Sequence, residues 1–350
     1  MRFSAVVLTI ALALALGASG LVSAQDIRFF RIGTGSTSGA DFTIGGLIAS
    51  VLSNPPGSRD CDRGGSCGVT GMIAVAQATQ GSVENALEVG LGRLDAGIIQ
   101  ADIAAMAYAG RGEFAGKNRM TSLRALASLY PETLQIVVRR DSGITTLAGL
   151  KGKRISLDTP ASGTQMAARA VLSQAGIKLT EIRPVYVDLG IASDLMREGK
   201  LDGLFYVGGS PAPAIAQLGD SVELRLLSVP ASLVAQIRKS APYYNPGTIA
   251  AGTYQGIAAT PTLSVQALLV VNEKLSPELG YAILQSLWHK SARAVFNGGH
   301  PQSKAIQLES ALEGIAVPRH PGAERFYLEA GLLKREASNA SEAPAPPIKR

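Results

Sequence analysis

Short apolar runs alternate with stretches of helical spacing along most of the chain. Residues 29–32 (Phe-Phe-Arg-Ile) predict a strand that ends at Gly33. The next segment, 40–52, places Ile44, Leu47, Ile48 and Val51 on one face of a helix. Asn54-Pro55-Pro56-Gly57 stops it. Residues 72–76 predict a second strand, Ser82 to about Leu91 a helix capped by Ser82, 96–99 a third strand, and the stretch to about Tyr108 another helix. Further on, 134–138, 154–157, 185–187, 203–207 and 265–271 read as strands. Residues 146–150 and 165–174 read as helices, and 278–294 as one long amphipathic helix. Strands alternating with helices predict an α/β sheet. The pattern predicts one lobe up to about Val138, a second lobe, and a return near Val265. Two crossings predict a hinge with a cleft between the lobes.

The chain ends change this picture. Arg2 and the apolar run 6–16, followed by Val22-Ser23-Ala24, form an export signal with cleavage after Ala24, which places the mature protein in the periplasm. The run is short for a membrane span, which takes about 20 apolar residues. Residues 336–350 are Ala, Pro, Ser and charge without an apolar period, the pattern of a disordered tail. Between these ends the chain has enough residues for two domains of ordinary size.

With 46% hydrophobic and 17% charged residues, a large core is expected. The net charge of +6 is scattered, and aromatics make up only 5%, so no basic-aromatic stripe points to nucleic acid. The two cysteines, Cys61 and Cys67, lie in a polar Gly-rich loop. In an oxidising compartment they predict a local disulfide. A metal site is the alternative, but two thiolates with no histidine nearby in sequence are a poor ligand set. His289, His300 and His320 lack metal-ligand spacing, which speaks against a catalytic triad or a zinc site. Gly64-Gly65-Ser66-Cys67-Gly68 fits a nucleophile elbow formally but lacks the strand and helix that the elbow needs. Gly33-x-Gly35 lacks the third glycine and the acidic residue of a dinucleotide site. Neither an enzyme nor a cofactor is expected.

Three turns carry the candidate chemistry: Gly33-Thr34-Gly35-Ser36-Thr37-Ser38-Gly39, Gly81-Ser82-Val83-Glu84-Asn85 and Ser162-Gly163-Thr164. Each opens a predicted helix, whose start carries about half a positive charge and free N–H groups that can hold an anion without Lys or Arg. On open α/β sheets ligands sit beyond the carboxyl ends of strands. These turns, Gln100-Ala101-Asp102 and Gly208-Gly209-Ser210 all take that position.

These turns also belong to a wider set of stretches: Ile32-Gly33-Thr34-Gly35-Ser36, Gly81-Ser82-Val83-Glu84-Asn85, Leu126-Ala127-Ser128-Leu129-Tyr130-Pro131-Glu132, Arg140-Asp141-Ser142-Gly143-Ile144, Leu150-Lys151-Gly152-Lys153-Arg154, Ser162-Gly163-Thr164, Ala251-Gly252-Thr253-Tyr254 and His320-Pro321-Gly322-Ala323-Glu324-Arg325. In this order, over essentially the whole mature chain, the sequence resembles the periplasmic solute receptors of TRAP transporters, TAXI class. The resemblance implies a two-lobed α/β fold like that of type II periplasmic binding proteins. Lobe 1 would comprise 25–138 plus 265–335, and lobe 2 would comprise 139–264. It also implies a small carboxylate ligand, an acidic amino acid or a dicarboxylate, and delivery to an integral-membrane transporter driven by an ion gradient. The receptor itself would be monomeric. A sensor that passes occupancy to a signalling partner is the alternative. Where the family commonly has two aromatics after the first turn, this chain has Asp41-Phe42.

The expected ligand residues are Gly35, Ser36, Thr37, Ser38, Gly39, Gly81, Ser82, Asn85, Gln100, Asp102, Tyr130, Ser162, Gly163, Thr164, Gly208 and Gly209. Ser162 serves equally as a helix cap, Asp102 as a cap, Tyr130 as hinge packing, and the glycine pair as a plain turn. Glu84 either meets an ammonium group or complements its helix dipole. Asp41 either lines the cleft and selects an ammonium group, or faces solvent in the first turn of its helix; first-turn carboxylates favour the second.

Overall fold

The computed structural model describes residues 27–116, 119–160 and 162–334. The predicted export signal and the tail lie outside these residues. The elements in chain order begin with β1 (Arg28–Gly33), α1 (Ala40–Leu52), β2 (Met72–Gln77), α2 (Ser82–Gly90), β3 (Ala96–Gln100), α3 (Ala101–Ala109) and β4 (Leu123–Arg139). Then come β5 (Arg154–Ser156), α4 (Gly163–Gln174), β6 (Arg183–Val185), α5 (Leu189–Arg197), β7 (Gly203–Gly208), α6 (Pro213–Gly219) and β8 (Leu224–Leu226). The chain closes with α7 (Ala231–Arg238), β9 (Asn245–Ile249), β10 (Thr260–Asn272), α8 (Pro277–Leu287), α9 (Lys290–Gly298) and α10 (Pro321–Glu329).

These ten strands join one sheet, in the order β2-β1-β3-β10-β4-β7-β5-β6, with β8 on β4 and β9 on β10, while two short strands, Ser53–Asn54 and Val69–Thr70, pair separately. β1, β2 and β3 are mutually parallel, and so are β7, β5 and β6. Between the two sets run β10 and β4, antiparallel to each other and to their outer neighbours β3 and β7. The two parallel sets therefore point at one another, and their carboxyl ends converge on a cleft between two α/β halves. β4 carries both halves: it pairs with β10 from Leu123 to Thr133 and with β7 from Thr133 to Val138. The change of partner falls at Thr133, upstream of the crossing expected after Val138.

One apolar core, from Val83 and Ile103 through Ile136 and Val171, runs along one face of the sheet beneath both halves. The opposite face carries two separate cores. One lies in the first half around Phe30, Ile48 and Tyr327, the other in the second half around Leu189, Leu204 and Ile215. A shared core on one side and split cores on the other is the packing expected of two bodies that share a spine and meet across a cleft.

The expected long helix 278–294 is two helices. His289 has extended backbone and its Nδ1 accepts from Ser291 N at 3.2 Å, so it ends α8 and caps α9. Residues 146–150 form only a short 3₁₀ turn, Leu147–Leu150. Cys61 and Cys67 form the expected disulfide, with Cα atoms 4.7 Å apart. No helix among the described residues is long and apolar enough to cross a membrane.

Candidate functional site

A cavity of about 630 Å3 lies where the two sets of strand ends meet. The first half supplies the turn after β1, the turn after β2 and Gln100 at the end of β3. The second half supplies Asp158, Thr159, Ser162, Gly163 and Thr164 after β5, Asp188 and Leu189 after β6, and Tyr206 and Val207 of β7, while Glu132 of β4 forms the floor. Hydrogen bonds join the halves across it. Ala214 N donates to Ser38 O at 3.2 Å, Ala40 N to the Tyr206 hydroxyl at 3.1 Å, and Gly209 N to Asp41 Oδ1 at 3.4 Å.

Helix starts differ between the walls. In the first half, α1 begins after Gly39 and α2 after Gly81; neither N-cap glycine caps its helix, and the first N–H of α1 is taken by the Tyr206 hydroxyl from the other half. Gly81 has φ 111° and ψ −156°, a region open in practice to glycine alone. In the second half, the Ser162 hydroxyl accepts from Gln165 N at 3.2 Å, and Asp188 Oδ1 accepts from Gly190 N at 2.7 Å. The helix starts that lack a cap from their own N-cap side chain therefore lie on the first-half wall, while Ser162 covers only the Gln165 N–H of α4.

Of the expected ligand residues, Gly35, Ser36, Thr37, Gly39, Gly81, Ser82, Gln100, Ser162, Gly163 and Thr164 line the cavity. Some of their hydroxyls serve the fold. Ser162 Oγ also donates to Thr159 O at 2.8 Å, alongside its capping bond. Thr164 Oγ1 accepts from Val207 N at 2.9 Å. Ser82 does not cap its helix: it is the first helical residue, and its hydroxyl accepts from Gln100 N at 3.0 Å.

The other six stand behind the wall. Asn85 is fully buried and donates to Thr34 O and Ile98 O, at 2.7 and 2.9 Å, tying the first turn to β3. Ser38 packs on Gly190, where an added Cβ would lie 2.5 Å from its hydroxyl. Asp102 accepts from the Tyr244 hydroxyl at 2.6 Å, away from the cavity. Tyr130 donates to Asp41 Oδ1 at 2.9 Å. Gly208 pairs with Thr133, and a Cβ on it would lie 2.1 Å from the Tyr206 hydroxyl, so its smallness serves packing.

The residues that sequence reasoning missed or misjudged are carboxylates. Asp41, Glu84, Glu132, Asp158 and Asp188 line the cavity, and no Lys, Arg or His among the described residues does. Glu84 Oε2 accepts from Gln80 N at 2.7 Å and so holds its own loop. Asp188 caps α5. Asp158, at φ 66°, accepts from Thr159 N at 2.7 Å. Asp41 and Glu132 remain directed at the ligand space. Asp41 faces the cleft rather than solvent, with Tyr130 and Gly209 holding Oδ1 and no hydrogen bond to Oδ2 from the described residues. Glu132 Oε2 accepts from Gln100 Nε2 at 2.6 Å, and no described donor reaches Oε1. Withdrawal from water pushes the Asp41 carboxyl up to about 6, against the pull of its Tyr130 bond. The same burial, with the Asp41 charge adding to it, holds Glu132 well above the ordinary carboxylate range. Burial likewise raises Asp158 to about 6. Glu132 was legible as part of the Leu-Tyr-Pro-Glu stretch. Asp158 and Asp188 directly follow the strands predicted at 154–157 and 185–187, which is the signal that could have found them.

Two α/β halves closed on a polar cavity at converging strand ends define a two-lobed binding-protein architecture. Within that class the chain belongs to the NMT1-like family, whose model matches residues 32–331. A protein of Escherichia coli K12, provisionally named for binding aliphatic sulfonates, is 35% identical over 72 residues, 21% of this chain and 22% of that protein. The match thus spans only about a fifth of that curated relative. Among solved structures, the alkanesulfonate-binding protein of Xanthomonas axonopodis pv. citri, bound to MOPS, is 16% identical with a TM-score of 0.45, covering 78% of each chain. A binding protein of a phosphonate ABC transporter from Pseudomonas aeruginosa is 11% identical with a TM-score of 0.49, covering 83% of this chain and 84% of that one.

Proposed function

We propose that this protein is a periplasmic receptor that closes its two halves on a small zwitterionic solute and delivers it to a membrane transporter. The ligand is an amino acid, acidic by the resemblance to TAXI receptors, rather than a dicarboxylate. The observation that carries this reading is the division of the cavity. Its first-half wall offers two helix starts without a cap from their own N-cap residues, α2 the more open of the two, which suit a carboxylate. Its floor and far wall offer carboxylates without a single basic side chain. A dianion in that cavity would face Asp41 uncompensated. An ammonium group beside the ligand carboxylate supplies the missing partner.

The membrane partner is a TRAP-type transporter driven by an ion gradient, a reading supported by the motif set of the sequence. The receptor role makes no use of catalysis. The names of the relatives, which mention sulfonates and phosphonates, make a tetrahedral oxyanion the second reading for the anionic end, and aminosulfonates satisfy both. A thermal-shift screen of amino acids, matching keto acids, dicarboxylates and sulfonates tests the proposal. A ligand at 100 times its dissociation constant adds about 2.7 kcal/mol of stability. Stabilisation by amino acids and not by dicarboxylates is expected. Stabilisation by dicarboxylates alone would overturn the zwitterion reading.

A further inference from the structure

The cysteine loop looked like a poor metal site because no histidine lies near it in sequence. The fold supplies one. His289, 228 residues from Cys61, brings its Nε2 to 4.0 Å from Cys61 Sγ. The ligand atoms of Cys61, Cys67 and His289 all lie within 4.8 Å of one another. The three histidines of the chain each cap a helix through Nδ1, but they use the other ring nitrogen differently. Nε2 of His300 meets Pro211 O at 2.8 Å, and Nε2 of His320 meets Leu275 O at 2.9 Å. Nε2 of His289 meets no carbonyl and points at the disulfide. A surface hollow beside the trio also exposes Asp62 and Lys290.

We infer that Cys61, Cys67 and His289 form a thiol-gated site for a zinc-like ion, closed while the disulfide is intact. A dithiol reductant cleaves the S–S bond: it is oxidised to its own disulfide, and its two electrons and two protons yield two cysteine thiols. Zinc then binds both sulfurs as thiolates and releases those two protons, with His289 Nε2 as third ligand. This set leaves a fourth position for water or Asp62. In the metal form Nδ1 carries the proton, gives up its capping bond from Ser291 N and donates to Ser291 Oγ, 2.8 Å away, the outer-shell bond that fixes a ligating imidazole. The two thiolates offset the Lys290 charge at the rim. Cys61 is exposed and Cys67 half-buried, so a small reductant reaches the bond.

The test uses the exported mature chain, oxidised or reduced and desalted without air, titrated with zinc and with cobalt as the optical probe. The reduced chain should take up one equivalent, with thiolate-to-cobalt charge-transfer absorption, and the oxidised chain none. His289→Asn keeps a capping acceptor but removes the imidazole. It should weaken zinc binding by more than about tenfold, the lower end for loss of even an outer-shell partner. Circular dichroism confirms that the variant is folded. Equal zinc affinity of reduced wild type and His289→Asn would overturn the site, as would binding no tighter in the reduced chain than in the oxidised one.

Discussion

The two walls of the cleft solve the same local problem in opposite ways. Both present helix starts at the ends of parallel strands. In the second half, Ser162 and Asp188 cap their own helices, covering one N–H of α4 and two of α5. In the first half, Gly39 and Gly81 leave α1 and α2 without a cap from their own N-cap side chains. A wall that caps itself contributes shape and closure, whereas a wall that does not contributes donors. The proposed reading puts the anionic end of the ligand on the first half, where Tyr206 and Gly209 of the second half reach across to Ala40 and Asp41.

The largest effect that would break this contrast is at Asp41. Asp41→Asn removes a carboxylate directed at the proposed cationic end of the ligand. Amino-acid affinity should fall by about 1.5–3 kcal/mol, the worth of a hydrogen bond to a charged group, with a smaller loss for the matching keto acid. Titration calorimetry reads the difference, and equal losses would place Asp41 outside ligand recognition.

Gly81→Ala strains the open start of α2. A backbone that only glycine adopts costs about 1–3 kcal/mol with a side chain on it. Melting temperature and affinity should fall together. Ser162→Ala probes the self-capped wall: cap removal costs about 0.5–2 kcal/mol of stability, while ligand affinity stays where it was. A large affinity loss with unchanged melting would reverse the roles of the two walls.

A further effect is on pH dependence without ligand. Asp41, Asp102 and Asp158 stand at about 6 in the folded protein, above their ordinary value of 3.8. Between those values the folded state binds more protons than the unfolded one, so these groups make stability rise as pH falls from 7 towards 4. The melting temperature of the ligand-free protein should be higher at pH 5 than at pH 7, and a drop would show that these carboxyls are solvated.

Much of the fold was legible because local pattern and tertiary demand agree. The bounds of α1 follow from Ile44, Leu47, Ile48 and Val51 and from the Pro-Pro stop after it. The first part of β4 was not legible, because Pro131 and Glu132 interrupt its apolar run. They stand where the strand changes partner, and the ladder with β10 is irregular just before them. The break at His289 is invisible to an apolar period that continues across it. In the site, glycine turns were readable because helix starts are a local property. The inward carboxylates were not, because a first-turn aspartate looks the same whether water or a cleft lies in front of it. The approach of His289 to the cysteines is wholly tertiary.

The central claim is that the ligand carries a cation as well as an anion. Calorimetric titration of the wild-type protein with an acidic amino acid and its keto acid, at pH 7 and pH 5, tests it most directly. The amino acid should bind more tightly at pH 7 and lose affinity at pH 5 as Asp41 takes up a proton, while the keto acid binds weakly and gains nothing from the higher pH. Keto-acid binding as tight as amino-acid binding at pH 7 would contradict it.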